Sequence, residues 1–394
     1  MSAEPNQERV ARMRALVDPW YQSLADPAQA QATLLERLLT HYKQTEYGKK
    51  HGVEAIGSYE DYRNSFPAQT YAGFKPFIDR ELAGNAGALL SEEPQYIGLT
   101  KGTSGESKLF PFTQSHATAS LNMVLRLNFN YAITQRSFEW LSGYRLNLSS
   151  SANVGTIKVG EKEMPYGYSI AVGMRILEAS SKAALNVAPT QDEMDALPKE
   201  ATKANWDKRF ELAYEKGRDK NITHILTSPD ATIGFGRWLQ RTHGVKPGDL
   251  WHVTYMMSTG HPATHTRFVP PIHALYGQAT DVRELYISSE AAFGGQLDER
   301  PAWAPFYDNA FCEVLTINGV KQMHEMIPGE IGSLVVSTTS LPRYRIGDLI
   351  LAFEPPYFRC IGRENTKLHP YNYGKLTGKS ELHLSKSPEL PTWR

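Results

Sequence analysis

The sequence predicts an α/β protein in which mixed sheets flanked by helices are followed by a small antiparallel, partly barrel-like sheet. Before Ala310, short apolar runs typical of buried strands alternate with stretches of helical spacing. From Ala310 onward, short strand-like segments follow one another without helices between them. With 394 residues the chain is also too long for one ordinary core, which indicates one large subdivided domain or two.

The N-terminal elements are expected to be helices. Asp26 supplies a capping side chain and Pro27 suits the first helical position. The following apolar residues form one stripe at helical spacing: Leu34, Leu35, Leu38, Leu39 and Tyr42. This helix is expected to end at the glycines of 48–52, and two more helices are expected over 58–64 and 71–83.

Strands and helices then alternate along the chain. A strand over 95–99, a polar loop and a helix over 115–133 follow each other, an order that suits a phosphate-binding loop. Further strands are expected over 144–149, 153–159, 222–227, 250–257 and 284–288, and helices over 206–217, 231–242 and 265–276. The antiparallel sheet is expected from strands over 311–317, 332–338, 348–353 and 357–362.

The composition excludes several classes of protein. The 42 basic and 42 acidic residues balance, so nothing favours nucleic acid or an anionic membrane as partner. No run approaches the roughly 20 apolar residues of a membrane span, and the charged N-terminus has no apolar signal core. Two cysteines, Cys312 and Cys360, are too few for a disulfide framework and lie in apolar contexts typical of core residues. A reducing cytoplasm fits these features.

The strongest functional signal is a loop of small, hydroxylated and glycine residues that ends at a lysine. It runs Thr100-Lys101-Gly102-Thr103-Ser104-Gly105-Glu106-Ser107-Lys108. Backbone N–H groups and hydroxyls of such a loop can surround a phosphate chain, and an ammonium can neutralise its charge. The spacing is neither that of a Walker A loop nor G-x-G-x-x-G. We therefore expect an ATP site outside the P-loop kinase fold.

Three later segments end in side chains that a nucleotide site could use. Glu290 follows a strand and could hold Mg²⁺, which prefers carboxylate and phosphate oxygens. Asp348 could accept hydrogen bonds from both ribose hydroxyls, and Arg363 could bind ribose or α-phosphate oxygens. Taken singly, each has a structural alternative: a surface acid, a turn cap and a salt-bridging arginine.

The order of these motifs resembles the acyl-adenylate-forming superfamily. The superfamily pattern T-S-G-T-T-G-x-P-K aligns with Thr100 to Lys108 without a gap, although Lys101 replaces a small hydroxyl residue and Ser107 replaces proline. Within it, the chain resembles the auxin-responsive Gretchen Hagen family of acyl-acid amido synthetases. The segments that carry this resemblance lie in order between about residue 40 and 382: 45–48, 66–71, 77–80, 108–111, 286–290 and 344–348.

The resemblance implies a role for each matching residue. The expected ATP-phosphate ligands are Thr100, Gly102, Thr103, Ser104, Gly105 and Lys108. Ser289 and Glu290 would line the nucleotide, with Glu290 on Mg²⁺. Asp348 would bind ribose beside Arg363, and Trp303 falls where the family often has an aromatic residue against adenine. Trp303 could equally be a core residue. Lys108, Glu290 and Arg363 are the expected catalytic residues.

The chemistry that the resemblance implies is adenylation of a carboxylic acid to an acyl-AMP, then transfer to an amine, typically of an amino acid. A thiol acceptor would make a thioester ligase instead. Family members carry a C-terminal lid domain. Residues 1–365 are expected to form the large domain, and 366–394 only a stub of that lid. Two alternatives to a complete enzyme are therefore open. A second chain could supply the lid, or the protein could bind nucleotide and acid without full turnover.

Other residues give weaker signals. His261 and His265 have the spacing of a metal pair on a helix, but Pro262 lies between them, so we expect a wall of the acyl pocket there. Aromatic residues could also line that pocket: Tyr131, Tyr144, Tyr166, Tyr168 and Phe235. Core packing would explain them equally well.

Overall fold

The computed structural model describes residues 7–101, 107–135, 137–180, 186–260 and 264–364. Within these ranges the chain forms twelve α-helices: α1 (Gln7–Ala25), α2 (Pro27–Tyr42), α3 (Glu46–Lys50), α4 (Tyr59–Ser65), α5 (Tyr71–Leu82), α6 (Gln114–Gln135), α7 (Ser169–Ser180), α8 (Gln191–Asp195), α9 (Lys203–Gly217), α10 (Pro229–His243), α11 (Pro247–Leu250) and α12 (Val269–Tyr276). A π-helical turn, Thr264–Phe268, precedes α12.

Sixteen strands form three sheets in the same ranges. The first sheet contains β1 (Pro94–Lys101), β2 (Ser107–Thr113), β4 (Gly155–Val159) and β5 (Lys162–Tyr168). The second contains β3 (Tyr144–Leu146), β6 (Asn186–Ala188), β7 (Ile222–Thr227), β8 (Tyr255–Thr259), β9 (Asp281–Ile287), β10 (Ala292–Gly295) and β11 (Ala304–Pro305). The third contains β12 (Phe311–Thr316), β13 (Gly319–Gln322), β14 (Ile331–Ser337), β15 (Tyr344–Ala352) and β16 (Phe358–Arg363).

The seven-stranded sheet separates two apolar cores. Its strands β6, β3, β7, β8 and β9 are parallel, and β10 and β11 continue it antiparallel. Side chains of α9, α10 and α12 cover one face, including Phe210, Phe235 and Ile272. Side chains of α1, α6 and α7 cover the other, including Leu127 and Met174. A sheet buried on both faces needs apolar strands, which explains the continuous apolar run 222–227.

The third sheet is antiparallel throughout, as the sequence predicts for the last third of the chain. It packs with α2 to α5 and the first sheet around the largest core, which contains Tyr42, Phe66, Phe74 and Tyr344. The register of β15 shifts between its pairings with Ser333 and Val335, so β15 carries a bulge just before Asp348.

The predicted order of strand, loop and helix around the glycine-rich loop is wrong in one respect. A second strand, β2, lies between the loop and α6, and it pairs antiparallel with β1. Pro111 argues against a strand at this position, because proline cannot donate to a sheet ladder. β2 is the edge strand of its sheet, where a missing donor is tolerated.

The N-terminal helices agree only partly with prediction. Asp26 caps α2 by accepting a hydrogen bond from Gln29 N, as expected, but α2 ends at Tyr42 and 46–50 is a separate helix. The charged N-terminal segment forms α1, which the sequence analysis missed; it buries Met13, Val17 and Trp20. None of the described helices combines the length and apolar character that a membrane span requires.

Candidate active site

A cavity of about 570 Å³ lies where the first sheet, the seven-stranded sheet and the end of the third sheet meet. Its charged wall contains Lys108, Glu290 and Arg363 together with the hydroxyl residues Thr100 and Ser289. The rest of its wall is mainly apolar, with side chains from α6, α7 and β7: Leu121, Val124, Met174, Leu177 and Leu226. The structure thus brings together polar residues that are far apart in the sequence, such as Thr100 and Arg363.

The described part of the glycine-rich loop lies on the β1–β2 hairpin. Thr100 and Lys108 face each other across the hairpin in register. The Lys108 ammonium lies over the Tyr71 ring, 5.2 Å from its centroid. The remaining predicted loop residues lie outside the described part of the chain: Gly102, Thr103, Ser104 and Gly105. Their contacts with phosphate stay predictions.

The turn between β9 and β10 presents Ser289 and Glu290. The Ser288 hydroxyl donates to Glu290 Oε2 over 2.6 Å, and the same hydroxyl oxygen accepts from Glu290 N. Ser289 Oγ lies 2.8 Å from Ser169 Oγ at the start of α7. Burial, and then the negative charge of Glu290, raise the pKa of the Tyr344 hydroxyl, so this tyrosine stays protonated and can donate to Glu290. These bonds fix the predicted Ser-Glu motif on the cavity wall.

Asp348 and Arg363 form an ion pair at the edge of the cavity. They are register partners on β15 and β16, and Arg363 Nη1 donates to Asp348 Oδ1. The second oxygen, Oδ2, accepts from the Tyr286 hydroxyl over 2.5 Å. Burial disfavours the charged guanidinium, but the Asp348 carboxylate raises the pKa of Arg363. Arg363 lines the same cavity as Lys108, and Asp348 contacts that wall through Arg363 without being part of it.

The predicted contact of Trp303 with adenine is wrong for this structure. Trp303 is fully buried and is not part of the cavity wall. Its ring stacks on Tyr286 with centroids 4.6 Å apart, and its backbone pairs with Phe358. Trp303 therefore lies behind Tyr286 and supports the residue that holds Asp348.

The predicted aromatic lining of the acyl pocket also needs correction. Tyr168 lines the cavity, whereas Tyr131 stacks on Tyr255 and Phe235 lies in the core on the opposite face of the sheet. Tyr144 and Tyr166 are likewise not among the side chains of the cavity wall. Of the five predicted aromatic residues, four pack in or against the apolar cores and only Tyr168 lines the cavity.

His116 is a cavity residue that the sequence analysis did not identify. It lies in the first turn of α6, and its ring stacks on Phe112 with centroids 4.7 Å apart. Burial lowers its pKa to about 4, opposed by a hydrogen bond to the Ser289 backbone. The ring is therefore neutral at pH 7. A lone histidine outside any recognised motif gives no sequence signal for such a position.

Other titratable groups play structural roles. Cys312 and Cys360 are buried free thiols, as predicted. His265 Nε2 lies 3.1 Å from Glu284 Oε2, whereas His261 is outside the described residues. Burial opposes ionisation of Glu284, but Arg359 and His265 hold its pKa down to about 2. Among the described side chains, no three His, Cys, Asp or Glu residues come together to hold a metal ion.

Sequence comparisons find known relatives for part of the chain. The GH3 family N-terminal domain matches residues 20–196. The indole-3-acetic acid-amido synthetase GH3.5 of Arabidopsis thaliana is 36% identical over 85 residues, which cover 21% of this chain and 14% of that protein. The jasmonoyl--L-amino acid synthetase GH3.3 of Oryza sativa subsp. japonica is 25% identical over 147 residues, 37% of this chain and 31% of that protein. The matched segments thus span less than a third of either relative.

Structural comparisons cover almost the whole chain. The AtGH3.15 acyl acid amido synthetase in complex with 2,4-DB matches with a TM-score of 0.72 at 17% identity, over 92% of this chain and 72% of that one. An open conformation of 2-hydroxyisobutyryl-CoA ligase in complex with 2-HIB-AMP and CoA matches with a TM-score of 0.57 at 14% identity, over 84% of this chain and 74% of that one. Residues 20–196 therefore match the GH3 family N-terminal domain, and the described residues share the fold of the AtGH3.15 acyl acid amido synthetase and of 2-hydroxyisobutyryl-CoA ligase.

Proposed function

We propose that this protein uses ATP to activate a carboxylic acid as an acyl-adenylate and then transfers the acyl group to an amine. One observation carries the proposal. Lys108 and Arg363, the ion-pair partner of Asp348, line a single cavity, and most of the remaining wall of that cavity is apolar. Such a cavity suits a charged nucleotide at one end and the apolar body of an acid at the other.

The polar wall supplies what the first step requires. A carboxylate oxygen of the acid attacks the α-phosphorus of ATP, the bond from that phosphorus to the bridging oxygen breaks, and pyrophosphate leaves. Anions crowd together in this step, so fixed cationic groups contribute most of the stabilisation. Lys108 would neutralise the phosphates, and Asp348 would hold the ribose so that the two reactants stay aligned.

Mg²⁺ is part of the same proposal. Glu290 is a carboxylate on the cavity wall that also carries Lys108. In sites that bind nucleotides, Mg²⁺ is commonly held by one or two carboxylates together with phosphate oxygens, and Glu290 fits that donor set. Bound there, the ion would neutralise phosphate charge.

The proposal of an amine as the acceptor is supported by the names of the GH3 relatives. In the second step the amine nitrogen attacks the acyl carbon, AMP leaves from that carbon, and the nitrogen loses a proton. One GH3 relative is named an amido synthetase and another a jasmonoyl--L-amino acid synthetase, which favours an amino acid as acceptor. A thioester ligase is the second candidate, supported by the fold shared with 2-hydroxyisobutyryl-CoA ligase.

The proposed location is the cytoplasm. The two cysteines are buried free thiols, which fits the reducing cytoplasm expected from the sequence.

Pyrophosphate exchange tests the first step without any acceptor. We expect labelled pyrophosphate to enter ATP in the presence of some members of a panel of apolar carboxylic acids. Lys108→Ala should lower this exchange on the order of a hundredfold, because it removes a fixed charge from the phosphates. Lys50→Ala is the matched control, since Lys50 also lies over an aromatic ring, Phe77, but is not in the cavity wall.

The outcomes separate the candidate functions. Binding of ATP without exchange for any acid would favour the binding protein without turnover. Exchange followed by product formation with an amino acid supports the amide ligase, and product formation with a thiol alone supports the thioester ligase. The absence of both ATP binding and pyrophosphate exchange would contradict the proposal.

A further inference from the structure

A layer of unpaired polar atoms lies beneath the apolar part of the cavity wall. Four side chains each bury one polar atom that has no hydrogen-bond partner in the described structure: Trp140 Nε1, Arg145 Nε, His224 Nδ1 and Tyr255 Oη. All four residues are at most 3% exposed. A buried polar atom without a partner costs on the order of 1–3 kcal/mol, so four in one place require an explanation.

The four atoms belong to one cluster. Arg145, His224 and Tyr255 are register partners on the adjacent parallel strands β3, β7 and β8. Side chains in register on parallel strands point to the same face of a sheet. The Trp140 ring lies 5.2 Å from the His224 ring and 5.5 Å from the Tyr255 ring, measured between centroids. The unpaired atoms therefore come from side chains that surround a common region under α6 and α7.

Only one layer of side chains separates this region from the cavity. Met174 lines the cavity, and its sulfur accepts a hydrogen bond from Arg145 Nη1. Leu226 also lines the cavity and stands two residues after His224 on β7, hence on the same face. Met174 is unbranched and adopts many rotamers, so it can move aside at low cost.

The charges of the cluster determine what it can receive. Arg145 Nη2 lies 3.2 Å from Glu178 Oε1, so a neighbouring carboxylate already balances the guanidinium. Burial lowers the pKa of Arg145 only to about 10, so it stays charged at pH 7. Burial, and then the charge of Arg145, lower the pKa of His224 to about 3, so that ring is neutral. A second carboxylate would find no uncompensated positive charge here, whereas a neutral oxygen would find donors.

We propose that Trp140, Arg145, His224 and Tyr255 form a polar subsite beneath the acyl pocket, which binds a hydroxyl or carbonyl oxygen at the far end of the acid. The identity of the ligand as a carboxylic acid rests on the function proposed above. Such an oxygen accepts from Arg145 Nε–H and Trp140 Nε1–H, and a hydroxyl also donates to Tyr255 or His224. An acid without this oxygen would leave these groups unpaired, so the subsite would discriminate against it.

Binding of matched acids tests the subsite without turnover. Calorimetry in the presence of AMP would compare linear acids with their ω-hydroxy and ω-carboxy counterparts. We expect the ω-hydroxy acids to bind roughly three- to tenfold more tightly than the plain acids. Tyr255→Phe should remove much of this difference between ω-hydroxy and plain acids. Tyr276→Phe is the matched control, because the buried Tyr276 donates to Thr232 O in the core on the other face of the sheet.

The results separate this subsite from the proposed activity. Equal affinity for plain and ω-hydroxy acids, a preference that Tyr255→Phe does not alter, or tightest binding of the ω-carboxy acid would each overturn the subsite. Failure to bind any of these acids would overturn it as well. A preference for ω-hydroxy acids in binding, combined with no pyrophosphate exchange, would leave the subsite standing and count against adenylation only. The melting temperature of each variant shows whether a lost preference reflects loss of folding.

Discussion

Asp348 is the residue on which the proposed nucleotide site depends most. Its carboxylate is held by two groups of different kinds, the Tyr286 hydroxyl and the Arg363 guanidinium. Its side chain is only 10% exposed, so these bonds lie in a region of low dielectric. Trp303 stacks behind Tyr286 and fixes the ring that donates to Asp348. A hydroxyl pair of ribose would thus meet a carboxylate whose position is set before binding.

We expect Asp348→Asn to weaken ATP binding roughly tenfold to a hundredfold, because hydrogen bonds to a charged group are worth about 1.5–3 kcal/mol. Equilibrium binding of ATP measures the change. Asp298→Asn is the matched control. Asp298 also accepts from a tyrosine and an arginine, Tyr357 and Arg300, but that arginine does not line the cavity, whereas Arg363, the partner of Asp348, does. Equal ATP affinity in the two variants would show that Asp348 does not contact the nucleotide.

The residues that sequence reasoning assigned to the nucleotide site share a local signal. Asp348 and Arg363 each follow a glycine at a strand, and Glu290 follows a strand end, so turn chemistry marks all three. Trp303 carries no such signal. Large aromatic side chains occur both in cores and at ligands. That Trp303 is a core residue is seen only in the structure, where it pairs with Phe358. His116 and the four polar residues under the cavity were not predicted, since their neighbours come from distant strands and helices.

At the scale of elements, the bulge in β15 places Asp348. Gly347 has a φ of 83°, in the left-handed region, and its carbonyl accepts from Glu364 N. A bulge re-aims the side chain that follows it, which is why bulges are frequent beside active sites. A Cβ at Gly347 would lie 3.4 Å from Arg363 Nη2, so this glycine also leaves room for the guanidinium that pairs with Asp348.

We expect Gly347→Ala to lower both stability and ATP affinity. The left-handed conformation costs an alanine about 1 kcal/mol, and the new methyl group would press on Arg363. Gly329→Ala is the matched control, because Gly329 has a φ of 87° and no atom within 4 Å of its Cβ position. Urea unfolding and ATP titration measure the two effects. If both variants lose stability and both keep full ATP affinity, the bulge does not position the nucleotide site.

Elements were predictable where one face is buried and caps are present. The helices α2, α4, α5 and α10 and the strand β7 appear near their predicted positions, since periodic apolar residues set them locally. α1 was missed because most of its residues are exposed and only a narrow stripe with Trp20 is buried. β2 was missed because Pro111 argues against a strand unless the strand is known to lie at the edge of a sheet, and edge position is a tertiary property.

At the scale of the whole molecule, several buried histidines make folding sensitive to acid. His224 and His116 have pKa values lowered by burial to about 3 and about 4, well below the usual value of 6.5. Burial also lowers the pKa values of His51 and His324. The folded protein keeps these rings neutral, whereas the unfolded chain takes up protons once the pH falls below about 6.5.

This difference predicts a loss of stability between pH 6.5 and 5. In that window the unfolded state binds more protons than the folded state, so the free energy of unfolding falls as the pH falls. Each strongly shifted histidine contributes about 1.4 kcal/mol per pH unit, and nothing above pH 7, where both states are neutral. Urea unfolding at pH 7, 6 and 5 would measure the slope. His224→Gln should reduce it, whereas substitution of the exposed His252 by Gln should leave it unchanged. A free energy of unfolding that stays constant from pH 7 to pH 5 would show that these rings take up protons without unfolding, and hence that water reaches both the cavity residue His116 and the cluster around His224.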